Sequence, residues 1–132
     1  MNDTLFAQVR TAVAEALGIE EDEVTAAASL LDELGAESID LLDILFRIER
    51  LTGTKVTVAE LSNYVQGGIP DAEFGDEEAN VITEAGMAQL KKVMPQLADM
   101  DLDGKLAPER VMALFTVANL VALVETRATV TA

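Results

Sequence analysis

Apolar residues near the start of the chain recur every three or four positions, which is the spacing of one face of an α-helix. Asp3 or Thr4 can cap the first turn of such a helix, and Gly18 follows its last apolar residue as a stop signal. The sequence therefore predicts a first helix that begins after a cap at Asp3 or Thr4 and is ended by Gly18. Its apolar face consists of Leu5, Phe6, Val9, Val13, Ala16 and Leu17.

A second helix is predicted over residues 38–51, after a long loop. Ser38 is expected to cap it, because a serine hydroxyl can accept a hydrogen bond from a free amide of the first helical turn. Asp40, Asp43 and Glu49 fall mainly between the apolar positions of this helix. The residues expected to form its apolar stripe are Ile39, Leu42, Leu45, Phe46 and Ile48.

The rest of the chain predicts shorter helices joined by loops. Residues 55–58 are expected to be an extended connector, because no partner strand is evident elsewhere. The remaining predicted elements are a short helix through Val65, a loop over residues 67–80, a helix opened by Thr83 or Glu84 and ended by Pro95, a short helix after Pro108, and a last helix capped by Thr116. The predicted fold class is all-α.

Charge narrows the range of ligands. The chain has 132 residues, of which 50% are hydrophobic, so a single folded domain is expected rather than a disordered chain. Its formal net charge is −15, which disfavours nucleic acid as the main ligand because phosphate would be repelled. The same charge favours partners with basic docking surfaces.

The absence of two residue types limits the chemistry. The sequence contains no cysteine, which excludes disulfides and thiolate metal sites. It contains no histidine, so a serine nucleophile would have no imidazole to activate it. These absences favour a protein that carries a borrowed reactive group over one that catalyses a reaction itself.

The sequence also predicts a cytoplasmic location. Residues 1–4 lack the basic and then apolar pattern of a signal peptide. The longest apolar run, residues 111–124, is interrupted by Thr116 and Asn119 and is shorter than the roughly 20 residues that span a bilayer. We therefore expect no membrane span.

The run Gly35-Ala36-Glu37-Ser38-Ile39 resembles the hallmark Gly-Ala/Gly-Asp-Ser-Leu of the acyl carrier protein family. Charge is kept at Glu37 and apolar character at Ile39. The resemblance covers more than twenty positions and includes Leu17-Gly18-Ile19, Glu23-Val24-Thr25 and Ser29-Leu30-Leu31-Asp32-Glu33-Leu34.

The resemblance implies a helical bundle that is interrupted by an insert. Residues 3–58 are similar to the first half of the family fold, and Phe115-Thr116-Val117 with Val121 and Val124 is similar to the start of its final helix. The expectation is one monomeric carrier domain over residues 1–132. An extra helical insert, residues 59–110, lies between its second and third helices.

By the same resemblance, Ser38 is the attachment point of 4′-phosphopantetheine. A phosphopantetheinyl transferase would move this group from coenzyme A with the help of magnesium. The thiol of the arm would then hold acyl or polyketide intermediates as thioesters. The expected partners are enzymes of a fatty-acid, polyketide or lipid-modifying pathway, such as a ketosynthase, reductase, dehydratase or acyltransferase. The chain itself is expected to be a non-catalytic carrier.

Partner docking is expected along the second helix. The candidate docking residues are Glu37, Asp40, Leu41, Asp43 and Glu49, which would meet basic patches on partner enzymes. The alternative is an ordinary solvated helix face. Arg47 and Arg50 depart from the strongly acidic second helix of the family, which indicates either a narrower set of partners or local pairing with Asp43 or Glu49.

Two other functions are compatible with the sequence, and neither is an enzyme. One is a helical interaction module that keeps the carrier fold without the prosthetic group, and the other is a peptidyl carrier for amino-acid thioesters.

Residues 99–106 resemble a calcium-binding EF-hand loop, with Asp99, Asp101 and Asp103 at alternate positions. Arg110 stands where the bidentate acid of such a loop should be, so an acidic linker is expected instead, and no metal site.

Overall fold

Six α-helices make up most of the protein in a computed structural model that describes residues 3–76, 78–100 and 105–131. They are α1 (Asp3–Leu17), α2 (Ser38–Thr52), α3 (Val58–Gln66), α4 (Asp71–Phe74), α5 (Glu84–Val93) and α6 (Val117–Thr131). The predicted all-α fold class is confirmed. One difference lies in the predicted loop over residues 67–80, which contains α4 and the start of a small antiparallel pair, β1 (Gly75–Asp76) and β2 (Val81–Ile82).

The chain forms two compact units. The first unit combines Met1–Val58 with Ala113–Ala132, and the second consists of Ala59–Met112. The first unit is therefore built from two stretches of chain that are distant in sequence.

In the first unit, α1 packs against both α2 and α6. Each helix contributes residues spaced three or four apart, so that one stripe of each is removed from water. The fully buried side chains of these helices include Val9, Val13, Ile44, Ile48, Leu120 and Val124.

The buried face of α2 differs from the predicted one. Its buried residues are Leu41, Ile44, Leu45 and Ile48, which follow the i, i+3, i+4, i+7 spacing of a single helical face. Three residues of the predicted apolar stripe are exposed, namely Ile39 (70%), Leu42 (56%) and Phe46 (57%), whereas its other two members, Leu45 and Ile48, are buried. That prediction was wrong because α2 is apolar on more than one side, and its most regular stripe packs inward.

Backbone hydrogen bonds join the loop before α2 to the start of α6. The Leu30 N–H donates to the Phe115 carbonyl (3.0 Å), and the Val117 N–H donates to the Ala28 carbonyl (3.0 Å). The predicted cap at Thr116 is confirmed, because its hydroxyl accepts from the Asn119 N–H at 3.2 Å. The Asn119 side-chain oxygen accepts from the Thr116 N–H at 2.9 Å in return.

In the second unit, α5 packs against α4 and against a 3₁₀ turn over Pro95–Asp99. Of the two residues predicted to open this helix, Thr83 is the cap, since its hydroxyl accepts a hydrogen bond from the Gly86 N–H at 3.1 Å. In β2, the Ile82 N–H donates to the Leu106 carbonyl (2.8 Å). This hydrogen bond joins the β1–β2 pair to the chain that follows α5 and the 3₁₀ turn.

We predict that Gly86→Ala destabilises the protein by about 2 kcal/mol, although alanine normally favours a helix by about 1 kcal/mol over glycine. A Cβ at this buried position of α5 would collide with the Phe74 carbonyl oxygen and approach Ile82 Cγ2 to 2.6 Å. Urea unfolding measures the change, with Ala85→Gly on the exposed side of the same helix as the control, expected to lose about 1 kcal/mol. A more stable Gly86→Ala protein would contradict the predicted collision.

Candidate functional site

A tight turn delivers the chain to the start of α2. Gly35 adopts a positive φ of 74°, a conformation that glycine accepts without strain. A Cβ built there meets no other atom within 4 Å, so the turn has open space around it. The next residue, Ala36, is buried, and its N–H donates to the Leu30 carbonyl at 2.9 Å. The turn is thus anchored on one side and open on the other.

Ser38 is the first residue inside α2, and the cap is Glu37. The Asp40 carboxylate accepts a hydrogen bond from the Glu37 N–H at 2.9 Å, and the Glu37 carbonyl accepts one from the Leu41 N–H at 3.0 Å. The prediction that Ser38 caps the helix was therefore wrong. An acid three residues after Glu37 closes the first turn, which leaves Ser38 one position beyond the cap.

Three exposed apolar residues of α2 form a strip that begins immediately after Ser38. Ile39, Leu42 and Phe46 are spaced by three and four residues and lie on one side of the helix. Leu41, predicted as a partner contact, is only 8% exposed and belongs to the buried face. The sequence did carry a signal for this arrangement, because residues 41, 44, 45 and 48 fit a helical stripe better than residues 39, 42 and 46 together with the core.

The predicted docking acids differ in their surroundings. Glu37 is exposed, whereas Asp40, Asp43 and Glu49 are half-buried. Asp43 forms an ion pair with Arg47 (3.0 Å), which confirms the predicted local pairing. Arg47 also contacts Glu15 of α1 at 3.1 Å. The negative charge at the start of α2 therefore lies mainly at Glu37 and Asp40, near Ser38.

The sequence contains three serines, and the structure gives them different settings. Ser29 is 7% exposed, and its hydroxyl accepts a hydrogen bond from the Glu33 N–H at 3.0 Å, so it has a structural role. Ser62 lies in α3 in the second unit. Ser38 follows the open turn at Gly35 and stands between two exposed residues, Glu37 and Ile39.

The described residues contain no candidate metal-binding group and no candidate membrane span. The candidate calcium loop includes residues 101–104, which lie outside the described residues. Within the described ranges, no group of three or more acidic, histidine or cysteine side chains could hold a metal ion. No described helix is long and apolar enough to cross a bilayer.

Comparison with known proteins identified a matching family model and several similar proteins. A family model described as "Phosphopantetheine attachment site" matches residues 7–65. The acyl carrier protein of Thermotoga maritima is 41% identical over 59 residues, which cover 45% of this chain and 73% of that protein. The acyl carrier protein AcpXL of Brucella melitensis is 33% identical over 70 residues, covering 52% and 75%.

An acyl carrier protein of Borreliella burgdorferi is 30% identical over 63 residues, which cover 48% of this chain and 79% of that protein. No solved structure matches the chain. The family-model match over residues 7–65 includes the turn at Gly35, the start of α2 and all three serines of the sequence.

Proposed function

The chain belongs to the acyl carrier protein family and uses 4′-phosphopantetheine as its cofactor, and from this premise we propose that Ser38 is the residue to which the cofactor is attached. The observation that carries the proposal is the placement of Ser38 at the first position of α2, between exposed Glu37 and Ile39. Ser29, by contrast, is buried and hydrogen-bonded to its own loop.

The surroundings of Ser38 fit a phosphate-linked arm. The start of a helix favours an anion through its free amides and its dipole. The open space beside Gly35 leaves room for an arm to leave the surface. Glu37 opposes the phosphate by charge repulsion, so its contribution is better explained by attraction of a basic partner.

Attachment would make Ser38 a phosphodiester. The Ser38 oxygen would bond to the phosphorus that carries the pantetheine part of coenzyme A, and the pyrophosphate bond would break with release of adenosine 3′,5′-bisphosphate. A transferase has to supply the base that takes the serine proton, since this chain has no histidine. When bound, the group supplies a thiol that holds an acyl chain as a thioester.

We also propose a docking face for partner enzymes, formed by Glu37, Ile39, Leu42 and Phe46. Exposed apolar side chains in a continuous strip mark a surface for association, and a nearby acid steers a basic partner. Asp40 and Asp43 would add negative charge at its margin, and Glu49 would do so further along α2. Leu41 would support the face from the buried side rather than touch a partner.

The partners that this face suits are a phosphopantetheinyl transferase and acyl-processing enzymes of a fatty-acid, polyketide or lipid-modifying pathway. We further propose that residues 1–132 are one carrier domain with the insert at residues 59–110. The division of the chain into Met1–Val58 with Ala113–Ala132 and a separate Ala59–Met112 supports this proposal.

The proposed function predicts that the protein gains one arm when it is incubated with coenzyme A, magnesium and a broad-specificity phosphopantetheinyl transferase. Intact-mass spectrometry measures the gain, and omission of the transferase is the control. A mass that stays unchanged with several transferases would contradict the proposal. It would instead favour an interaction module that uses the apolar strip of α2 without a cofactor.

A further inference from the structure

Arg50 places a positive charge in the last turn of α2, on the exposed side of the helix. Arg50 is exposed and follows Phe46 by four residues, which places both side chains on the same side of the helix. The Arg50 Cζ lies 5.9 Å from the centroid of the Phe46 ring. A guanidinium at this distance is attracted to the face of the ring. Arg50 is therefore held as an extension of the docking face.

Arg47 is used differently, although it is only three residues away. Its guanidinium lies 3.0 Å from Asp43 and 3.1 Å from Glu15, and its side chain is half-buried. Two carboxylates thus neutralise Arg47 within the first unit and link α1 to α2. Arg50 instead presents its charge beside the exposed apolar strip.

An open groove of about 330 Å³ lies next to this cation. It is lined by Glu15, Arg47, Arg50 and Leu51, all from α1 and α2. Such a groove can receive a short side chain from another protein. A carboxylate is the group that complements the exposed guanidinium, because arginine can donate two parallel hydrogen bonds to it.

We propose that Arg50 selects partner enzymes whose docking surface places a carboxylate opposite the C-terminal end of α2, together with a cation opposite Glu37. This inference rests on the proposed carrier function. A rise of 1.5 Å per residue separates Glu37 and Arg50 by about 20 Å along the helix. Opposite charges at the two ends fix the direction in which a partner lies on α2, and a uniformly basic partner is penalised at Arg50.

Arg50 also lies in the last turn of α2, where any cation favours the helix dipole. A test must therefore separate recognition from stability. The experiment uses the full-length, loaded protein and a purified ketosynthase from the same source, and it measures kcat and KM for acyl transfer with the carrier as the varied substrate. The variants are Arg50→Glu, Arg50→Lys and the matched control Lys55→Glu, which makes the same charge change at an exposed residue just after α2.

We expect Arg50→Glu to raise KM about tenfold with kcat little changed, and Lys55→Glu to raise KM less than about twofold. Arg50→Lys keeps the charge but loses the paired hydrogen bonds, so its KM should rise about threefold and lie between those of the native protein and Arg50→Glu. Replacing the facing carboxylate of the ketosynthase with lysine should restore the KM of Arg50→Glu. This rescue would not occur if Arg50 only stabilised the helix.

Equal KM values for Arg50→Glu and the native protein would overturn the inference, as would equal effects of Arg50→Glu and Lys55→Glu. A lower KM for Arg50→Glu would also overturn it, because it would indicate a basic partner surface at this end. Loading is checked by mass before the kinetics. A native chain that cannot be loaded refutes the carrier function itself, whereas loaded variants with unchanged kinetics refute only the role of Arg50.

Discussion

Ser38→Ala is expected to abolish attachment of 4′-phosphopantetheine while changing the free energy of unfolding by less than about 0.5 kcal/mol. The first effect follows from the loss of the only oxygen at the proposed attachment position. The second follows from the way in which α2 begins, since Glu37 is the cap and the Asp40 carboxylate binds its N–H. If Ser38 were the cap, alanine would cost about 1 kcal/mol.

Two measurements on the same purified variant separate these effects. Intact mass after incubation with the transferase reports loading, and urea unfolding reports stability. Ser62→Ala in α3 is the matched control and should load like the native protein. A Ser38→Ala protein that still gains an arm would move the attachment site elsewhere. A protein that fails to load because it has unfolded would show that Ser38 is structural.

Phe115→Ala is expected to have the largest effect on folding, a loss of about 3–5 kcal/mol. Phe115 is fully buried, and its carbonyl accepts the hydrogen bond from the Leu30 N–H. The shorter side chain would leave a cavity where the loop before α2 meets the start of α6. Because small domains are stable by only about 5–15 kcal/mol, this loss would remove a large part of the total.

Phe46→Ala is the matched control for this change, since it removes the same ring from an exposed position on α2. It should change the unfolding free energy by less than about 1 kcal/mol. Urea unfolding of both variants gives the comparison. Similar losses for the two variants would mean that Phe115 does not hold the two segments of the first unit together.

Much of the fold could be predicted because several of its signals are local. The spacing of Leu5, Val9 and Val13 was sufficient to place α1, and threonines marked the starts of α5 and α6. Whether a helix forms depends largely on such periodicity and capping. The two-residue strands β1 and β2 could not be predicted in this way, since they are too short to show an alternating pattern.

The candidate site was harder to predict than the fold. The position of Ser38 at the start of α2 was evident from residue types. The buried side of α2 was predicted wrongly, because Leu41 and Leu42 are equally apolar and the expected stripe mixed residues from both sides of the helix. The regular spacing of residues 41, 44, 45 and 48 was the signal that identifies the side packed against α1. The position of the cap was predicted wrongly because serine is a preferred N-cap residue, which favoured Ser38. In the structure, the neighbouring Glu37 is the N-cap.

The hydrogen bond between the Leu30 N–H and the Phe115 carbonyl has a consequence for how the protein is made. The ribosome completes residues 59–112 before it reaches Phe115, so the early helices emerge without the segment that covers them. The two segments of the first unit are distant in sequence, so the unit can be completed only after residues 59–112 have been synthesised. A nascent chain stalled before residue 113 would therefore be a poor substrate for the transferase, and biosynthesis itself would delay maturation until α6 has left the exit tunnel.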